Sequence, residues 1–242
     1  MSTPRFYQNK PLSLGDCALD EAATHHMIHV LRLKLGAEVI IFNGNGDEFK
    51  GILRQIHKKS AVIELQQQYP VHNESPLALH LVQAISRKDH MDLTVQKAVE
   101  LGVTEITPVV SDFSNIKQSG DQFNQKEQHW QKIIISATQQ SGRTILTQLN
   151  PIISFREALQ KVTTEQRLFL SPRATESCKK IFMTKPQSTA LFIGCEGGFS
   201  YQEEQAALAA ELKAITLGPR ILRTETAAIA ALSILQYCRG DL

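Results

Sequence analysis

Leu191-Phe192-Ile193-Gly194-Cys195-Glu196-Gly197-Gly198-Phe199-Ser200 is the stretch on which the fold turns. The apolar triplet reads as the end of a buried strand and the glycines as a tight loop. Ser200 with Glu203 three residues on forms the capping box that opens a helix. Strand, loop and helix in that order form the building unit of a parallel α/β sheet, whose ligand sites gather at the carboxyl ends of the strands. Gly197 and Gly198 permit positive φ and let a ligand approach the backbone closely. The spacing is neither G-x-G-x-x-G nor the phosphate loop G-x-x-x-x-G-K-[ST]. On local chemistry alone, a tight turn and a cofactor loop fit it equally well.

Downstream the same order returns in Ile215-Thr216-Leu217-Gly218-Pro219-Arg220-Ile221-Leu222-Arg223-Thr224-Glu225-Thr226, with Thr224 expected as the N-cap of the last helix. Arg220 and Arg223 flank an apolar pair. Apolar walls beside backbone donors suit an adenine slot, and cations suit RNA. From about Glu225 to Arg239, Ala227, Ala228, Ile229, Ala230, Ala231, Leu232, Ile234 and Leu235 cover every helical face. Such a helix is buried all round, either as a central core helix or at a subunit interface where small alanines allow close approach.

Upstream, strand-like LALHLVQAI, helix-like MDLTVQKAVELG, strand-like EITPVVS and helix-like KEQHWQKIIISATQQSG alternate. Met91, Val95, Ala98 and Val99 fall on one face of the first helix, and Trp130, Ile133, Ile134 and Ala137 on one face of the second, both stripes directed at a sheet. Before Tyr69 the pattern changes to short β-branched runs, AEVIIFN and SAVIEL, divided by Gly44-Asn45-Gly46-Asp47 and Lys58-Lys59-Ser60. The reading is a small β-barrel over residues 1–72, a proline-bearing linker over 73–76, and an α/β domain over 77–242.

Composition excludes more than it assigns. Hydrophobic residues at 42% and charged residues at 21% describe an ordinary globular protein. No apolar run approaches the roughly 20 residues that a spanning helix needs, and the opening residues lack a signal-peptide core, so no membrane partner is expected. Cys17, Cys178, Cys195 and Cys238 lie far apart, which argues against a zinc site or a disulfide framework and fits a cytoplasmic protein. His25, His26 and His29 have no acidic or cysteine ligand nearby, so they read as a polar helix face and no metal is expected. The net charge is +2, and residues 1–72 hold eight Lys and Arg against seven Asp and Glu. Any grip on RNA must therefore be local, with Arg5, Arg32, Lys34, Arg87 and Lys88 as the candidate cations.

IGCEGGFS and LGPRILRTETAAIAAL closely resemble the signature segments of the SPOUT methyltransferases, in particular the bacterial family that methylates uridine N3 in small-subunit ribosomal RNA. RKDHMDLTVQKAVELGVTEITPVVSDFS resembles that family's first helix and second strand, Gln140-Ser141-Gly142-Arg143 its helix-ending motif, and HHMIHVLRLKLGAEVIIFNGNGDEF its N-terminal domain, so the likeness spans nearly the whole chain. Two positions depart from the pattern. Cys195 stands where the family usually has proline, which would have fixed φ, and Gln139-Gln140 replaces a more common acidic-polar pair.

The resemblance implies a trefoil-knotted parallel sheet with flanking helices, a PUA-like or OB-like barrel that helps to grip RNA, and a homodimer. It implies S-adenosylmethionine as cofactor and 16S ribosomal RNA, within the small ribosomal subunit, as partner. Cofactor contacts carry over to Leu170, Ser171, Ile193, Gly194, Glu196, Gly197, Gly198, Leu217, Gly218, Ile221, Leu222, Arg223, Thr224 and Thr226. Arg143, Arg220 and Arg223 are candidates for steadying charge on the uracil carbonyl oxygens, and Glu196 or Glu225 for accepting the N3 proton. Methylation of another RNA, a nucleotide-dependent metabolic enzyme, and a noncatalytic RNA-binding protein are the competing classes. The metabolic enzyme would bring a phosphate or dinucleotide fingerprint, and a degenerate site would have lost glycines that are all present here.

Overall fold

A computed structural model describes residues 3–114, 120–178, 181, 183 and 188–242. The chain forms two compact units, Met1–Glu74 with Thr138–Leu146, and Ser75–Ala137 with Thr147–Leu242.

The first unit is built on β1 (Arg5–Tyr7), β2 (Gly15–Ala18), β3 (Glu38–Phe42), β4 (Asp47–Ile56) and β5 (Ala61–Pro70), in the order β1-β3-β4-β5-β2. The β1–β3 pair is parallel and the others antiparallel. Two register shifts bend the long β4–β5 hairpin, as bulges do. Among the described residues no ladder joins the two edge strands. Instead the Gln8 side chain, just past β1, donates to the Asp20 carboxylate at 3.3 Å and accepts from the Asp20 amide at 3.3 Å, just past β2. The barrel expected from the β-branched runs is thus a curved mixed sheet whose open seam is crossed by one buried amide. Phe6, Ile41, Phe49, Leu53 and Ile63 fill its interior. Helix α1 (Glu21–His25), capped by Asp20, runs into a π turn, His26–Val30, on which the His25 and His29 rings lie 4.8 Å apart.

Residues 138–146 were not foreseen as part of this unit. Arg5 explains their place: its guanidinium donates to the carbonyls of Thr138 and Gln139 at 3.1 Å and of Arg143 at 2.8 Å, and it also pairs with Glu48. Arg143 is itself 4% exposed and bonds Glu74 through Nε at 2.9 Å and Nη2 at 2.7 Å. A guanidinium is the cation suited to such fork-like ties. Arg5, expected on the RNA-contacting surface, is therefore turned inward, where protein acceptors already occupy it.

The second unit is a wholly parallel sheet of β6 (Ala78–Ala84), β7 (Glu105–Val110), β8 (Gln148–Leu149), β10 (Gln166–Leu170), β11 (Ser188–Ile193) and β12 (Lys213–Ile215), ordered β12-β10-β11-β6-β7-β8, with β9 (Ile153–Ser154) also on β7. Pieces β8 and β9 pair β7 on either side of Pro108, which has no N–H for the ladder. Parallel strands covered on both faces read as largely apolar runs, as ALHLVQA does in β6 and ALFI in β11. Helices α4 (Phe155–Lys161) and α5 (Tyr201–Ala209) share a core cluster with Val82, Phe169 and Phe192. Helix α2 (Lys88–Glu100) packs along α6 (Thr224–Arg239), which also contacts β11. The α2 stripe is wholly buried, as is the α3 (Asp121–Ser141) stripe except for half-buried Ile133. Among the described residues one side of α6 is covered: Ala228, Ala231, Leu232 and Leu235 are buried, while Ile234 and Tyr237 are exposed and Ile229 and Ala230 half-exposed.

One buried polar network lies at the start of β6 and β7. His80 Nε2 is 2.7 Å from the Thr107 hydroxyl and its Nδ1 is 3.5 Å from Glu105, whose carboxylate accepts from the Asn150 amide. Burial pushes the His80 pKa below its ordinary 6.5, with Glu105 opposing in part. A histidine held neutral in the folded state stabilises the fold fully above about 6.5, and that stability is lost as pH falls through the folded value. Urea unfolding of wild type and His80→Gln from pH 8 to pH 5 should therefore show a wild-type advantage that shrinks below about pH 6.5. A gap that widened on acidification would contradict it.

Candidate cofactor site

A cavity of about 310 Å³ opens at the carboxyl ends of β10, β11 and β12. Its walls come from three segments: Leu170–Pro172 after β10, Ile193–Gly198 after β11, and residues 215–217 and 220–222 with Thr224 and Ala227 around the start of α6. Leu170, Ile193, Ile215, Leu217, Ile221 and Leu222 make it largely apolar, which suits the flat face of an adenine ring.

The β11 loop owes its form to two glycines. A β-carbon on Gly194 would lie 2.6 Å from the Gly198 carbonyl carbon, so the two backbones approach as only glycine allows. Gly198 adopts φ +72°, and a β-carbon there would meet nothing within 4 Å, because the space beside it is the cavity. The Gly198 amide donates to the Cys195 carbonyl at 2.9 Å, so the turn closes with cysteine in the position where the resembling family carries proline. Ser200 and Glu203 then form the expected capping box at the start of α5.

A buried tie joins this loop to α6. The Thr224 hydroxyl donates to the Gly194 carbonyl at 2.6 Å, and Gln83 Nε2, on β6, donates to the same hydroxyl at 3.0 Å. Thr224 is therefore the first residue of the helix rather than its N-cap, which is Arg223 without a side-chain cap. Gln83 is fully buried, and sequence reading passed over it. Its signal was a single amide in the otherwise apolar run LVQAI.

The charged residues have separate tasks. Glu196 lines the cavity, yet its Oε1 accepts from the Arg87 amide at 3.0 Å and from His90 Nδ1 at 2.8 Å. Burial raises its pKa, but hydrogen bonds from the Arg87 amide, its own amide and His90 outweigh that and hold the carboxyl below its ordinary value. Because Arg87, the N-cap of α2, supplies no side-chain cap, Glu196 takes that place from across the sheet. Glu225 is 8% exposed, with its Oε2 3.8 Å from His90 Nδ1. Ser171 lines the cavity while its hydroxyl donates to Glu204 at 2.7 Å, and Glu204 also pairs with Arg173 at 3.1 Å.

Of the residues expected to hold a cofactor, Leu170, Ser171, Ile193, Gly194, Glu196, Gly197, Gly198, Leu217, Ile221, Leu222 and Thr224 line the cavity, and Gly218, Arg223 and Thr226 do not. Pro172, Cys195, Ile215, Thr216 and Ala227 line it unforeseen, and so does Arg220, which had been assigned a catalytic part. Arg143 belongs to the first unit, where Glu74 takes its guanidinium. Arg32, at φ +54°, and Lys34 are exposed beside the exposed side chains of Val30, Leu31 and Leu35. Arg87 and Lys88 are exposed at the start of α2. Among the described residues no helix is long and apolar enough to cross a membrane.

Comparison with known proteins agrees with this architecture. A ribosomal RNA small subunit methyltransferase E of Buchnera aphidicola is 35% identical over 99% of this chain and 98% of its own length. A methyltransferase of Legionella pneumophila, solved with bound S-adenosylmethionine, superposes with a TM-score of 0.96 at 35% identity and full coverage of both chains. The ribosomal RNA small subunit methyltransferase E of Neisseria gonorrhoeae, also solved with S-adenosylmethionine, gives 0.92 at 38% identity, again over the whole of both chains. The model of an RNA methyltransferase PUA domain matches residues 19–66 and that of the RNA methyltransferase domain residues 73–236, so the chain belongs to the RNA methyltransferase domain family.

Proposed function

We propose that the protein methylates N3 of a uridine in the 16S ribosomal RNA of the small ribosomal subunit, with S-adenosylmethionine as donor. The observation that carries this is the cavity at Gly198: apolar walls, a glycine turn that presents its backbone, and open space beside Gly198, where a β-carbon would meet nothing within 4 Å. Two similar proteins solved with S-adenosylmethionine, each matched over its whole length, support it.

Bound there, S-adenosylmethionine supplies an activated methyl group and carries its own leaving group, so the protein's task is chiefly alignment. Leu217, Ile221 and Leu222 would sandwich the adenine, and the Gly194–Gly198 turn would present its backbone to the rest of the molecule. Arg220, at the cavity wall, is placed to steady negative charge on the uracil carbonyl oxygens as the N3 proton leaves. Arg223, exposed at the mouth of α6, is a second cation for that end. Glu196 stays ionised and anchors α2, and it or Glu225 is the acceptor for the N3 proton within this reading. The exposed Arg32 and Lys34, beside Leu31 and Leu35, would contact the ribosomal RNA from the first unit. A ribosomal substrate places the enzyme in the cytoplasm. The trefoil knot is also part of the proposal, within which the Thr224–Gly194 bond would hold the start of α6 to the β11 loop.

We further propose a homodimer through the open side of α6, where Ile229, Ala230, Ile234 and Tyr237 form an apolar face. Light scattering should give twice the chain mass, and Ala230→Glu should halve it. A wild-type monomer at micromolar concentration would remove the dimer.

Calorimetry with S-adenosylmethionine should show binding that Gly198→Val abolishes, since the variant forces a branched side chain into positive φ and into the cavity. Undetectable binding by the wild type would end the enzymatic reading. Arg220→Ala should lower kcat on the order of 10²-fold with little change in cofactor affinity, as loss of a charge-stabilising donor does. Mapping of modified bases should find a methylated uridine in small-subunit RNA only from cells that carry this gene. Identical maps with and without the gene would overturn the assignment of substrate.

A further inference from the structure

Phe113 is 52% exposed, an unusual state for a phenylalanine, yet it is firmly held. It sits in the turn after β7, which closes through the Ser114 amide on the Ser111 carbonyl at 3.0 Å. The preceding Asp112 is fixed twice to the start of α5, its amide donating to Glu203 Oε1 at 2.9 Å and its carboxylate accepting from the Ser200 hydroxyl. One side of the phenylalanine rests on Gly197. A β-carbon on that glycine would lie 3.0 to 3.2 Å from Phe113 Cβ, Cγ and Cδ2, so the ring can sit there only because the neighbour has no side chain.

Gly197 is also a wall of the cofactor cavity. Its neighbour Glu196 bonds the Arg87 amide, which brings the exposed Arg87 and Lys88 to the same loop. An exposed aromatic ring, two exposed cations and the cofactor cavity therefore converge on the consecutive residues Glu196 and Gly197. Single-stranded RNA is recognised by that pairing of chemistries, with bases stacked on aromatic rings and phosphates met by cations. An enzyme that reacts with a base must hold that base out of its helical stack.

We propose that Phe113 stacks on a nucleobase of the RNA substrate and holds the unstacked strand beside the cofactor cavity, with Arg87 and Lys88 on its phosphates. The proposal rests on the methyltransferase reading for the identity of the RNA, and its own measure is RNA affinity, which does not require turnover. The ring acts on the nucleic acid and leaves the cofactor alone.

Full-length Phe113→Ala and Phe113→Trp are compared with wild type for binding to small-subunit ribosomal RNA over a range of salt, for S-adenosylmethionine affinity by calorimetry, and for methylation. Phe113→Ala should weaken RNA binding about 10-fold, within the span of one lost stacking contact. It should leave the salt slope and the cofactor affinity unchanged, and Phe113→Trp should restore RNA binding. Arg87→Ala should instead reduce the salt slope. Equal RNA affinity in wild type and Phe113→Ala would overturn the proposal, and so would a parallel fall in S-adenosylmethionine affinity, which would assign the ring to the cofactor. A wild type that bound RNA through Phe113 but transferred no methyl group would sink the methyltransferase reading and leave the stacking role standing.

Discussion

Gln83, Thr224 and the Gly194 carbonyl form a small polar knot inside an apolar sheet, and the cofactor site depends on it. The carbonyl ends β11, the hydroxyl begins α6, and the amide belongs to β6, so three elements distant in sequence meet at bonds of 2.6 and 3.0 Å. All three groups are buried, where a hydrogen bond left unmade costs roughly 1–3 kcal/mol. Two of the three wall segments of the cavity, the β11 loop and the segment leading into α6, are joined by this tie. Thr224 sets the distance between them, and Gln83 sets the rotamer of Thr224. A methyl transfer that relies on alignment needs that distance constant, since small misplacements of reacting atoms carry large penalties in rate.

The disposition of charge follows the same economy of position. Arginines that sequence reading grouped together fall into two kinds once their partners are known. Arg5, half-buried, and Arg143, buried, are bound to carbonyls and carboxylates of the first unit, where they join residues 138–146 to the sheet. Arg32, Arg87 and Arg220 are exposed and keep their heads in solvent. A formal charge of +2 conceals this division, because the inward pairs cancel within the fold while the outward cations remain available to phosphate. Glu196 shows the same difference between proximity and role: it lines the cavity, but its carboxylate is bound to the N-terminus of α2, where a helix dipole favours negative charge.

Much of the architecture was legible because its causes are local. Short apolar strand-like runs marked β6 and β7, period-3.6 apolar stripes marked α2 and α3, and a serine with a glutamate three residues on marked the start of α5. The glycine loops were legible as places where backbone and ligand meet. What escaped was everything set by a partner distant in the chain. Thr224 has the chemistry of an N-cap, and only the nearby Gly194 carbonyl makes it the first residue of the helix. Arg5 looked like a surface cation because nothing in its own segment announces Glu48 or the carbonyls at 138, 139 and 143. Gln83 and Phe113 were missed for opposite reasons, one a polar residue hidden in an apolar strand and the other an apolar residue left in solvent. Both become informative only against the burial that their type would ordinarily have.

The exposed side of α6 brings these strands together. Its inner residues, Ala228, Ala231 and Leu232, are packed within the chain, and its first turn carries Thr224 and Glu225 into the site. A rigid helix moves as one body, so whatever covers Ile234 and Tyr237 also restrains the turn that bonds Gly194. An apolar face at one end of a helix and a cavity wall at the other are thereby coupled through the helix backbone. Covering that face with a second copy of the chain would stiffen the cavity without any new contact to the cofactor, and the loss of mobility would already have been met before the cofactor arrived. In such a dimer the apolar content of the last helix, excessive for a helix that one sheet could bury, would serve the site as much as the assembly.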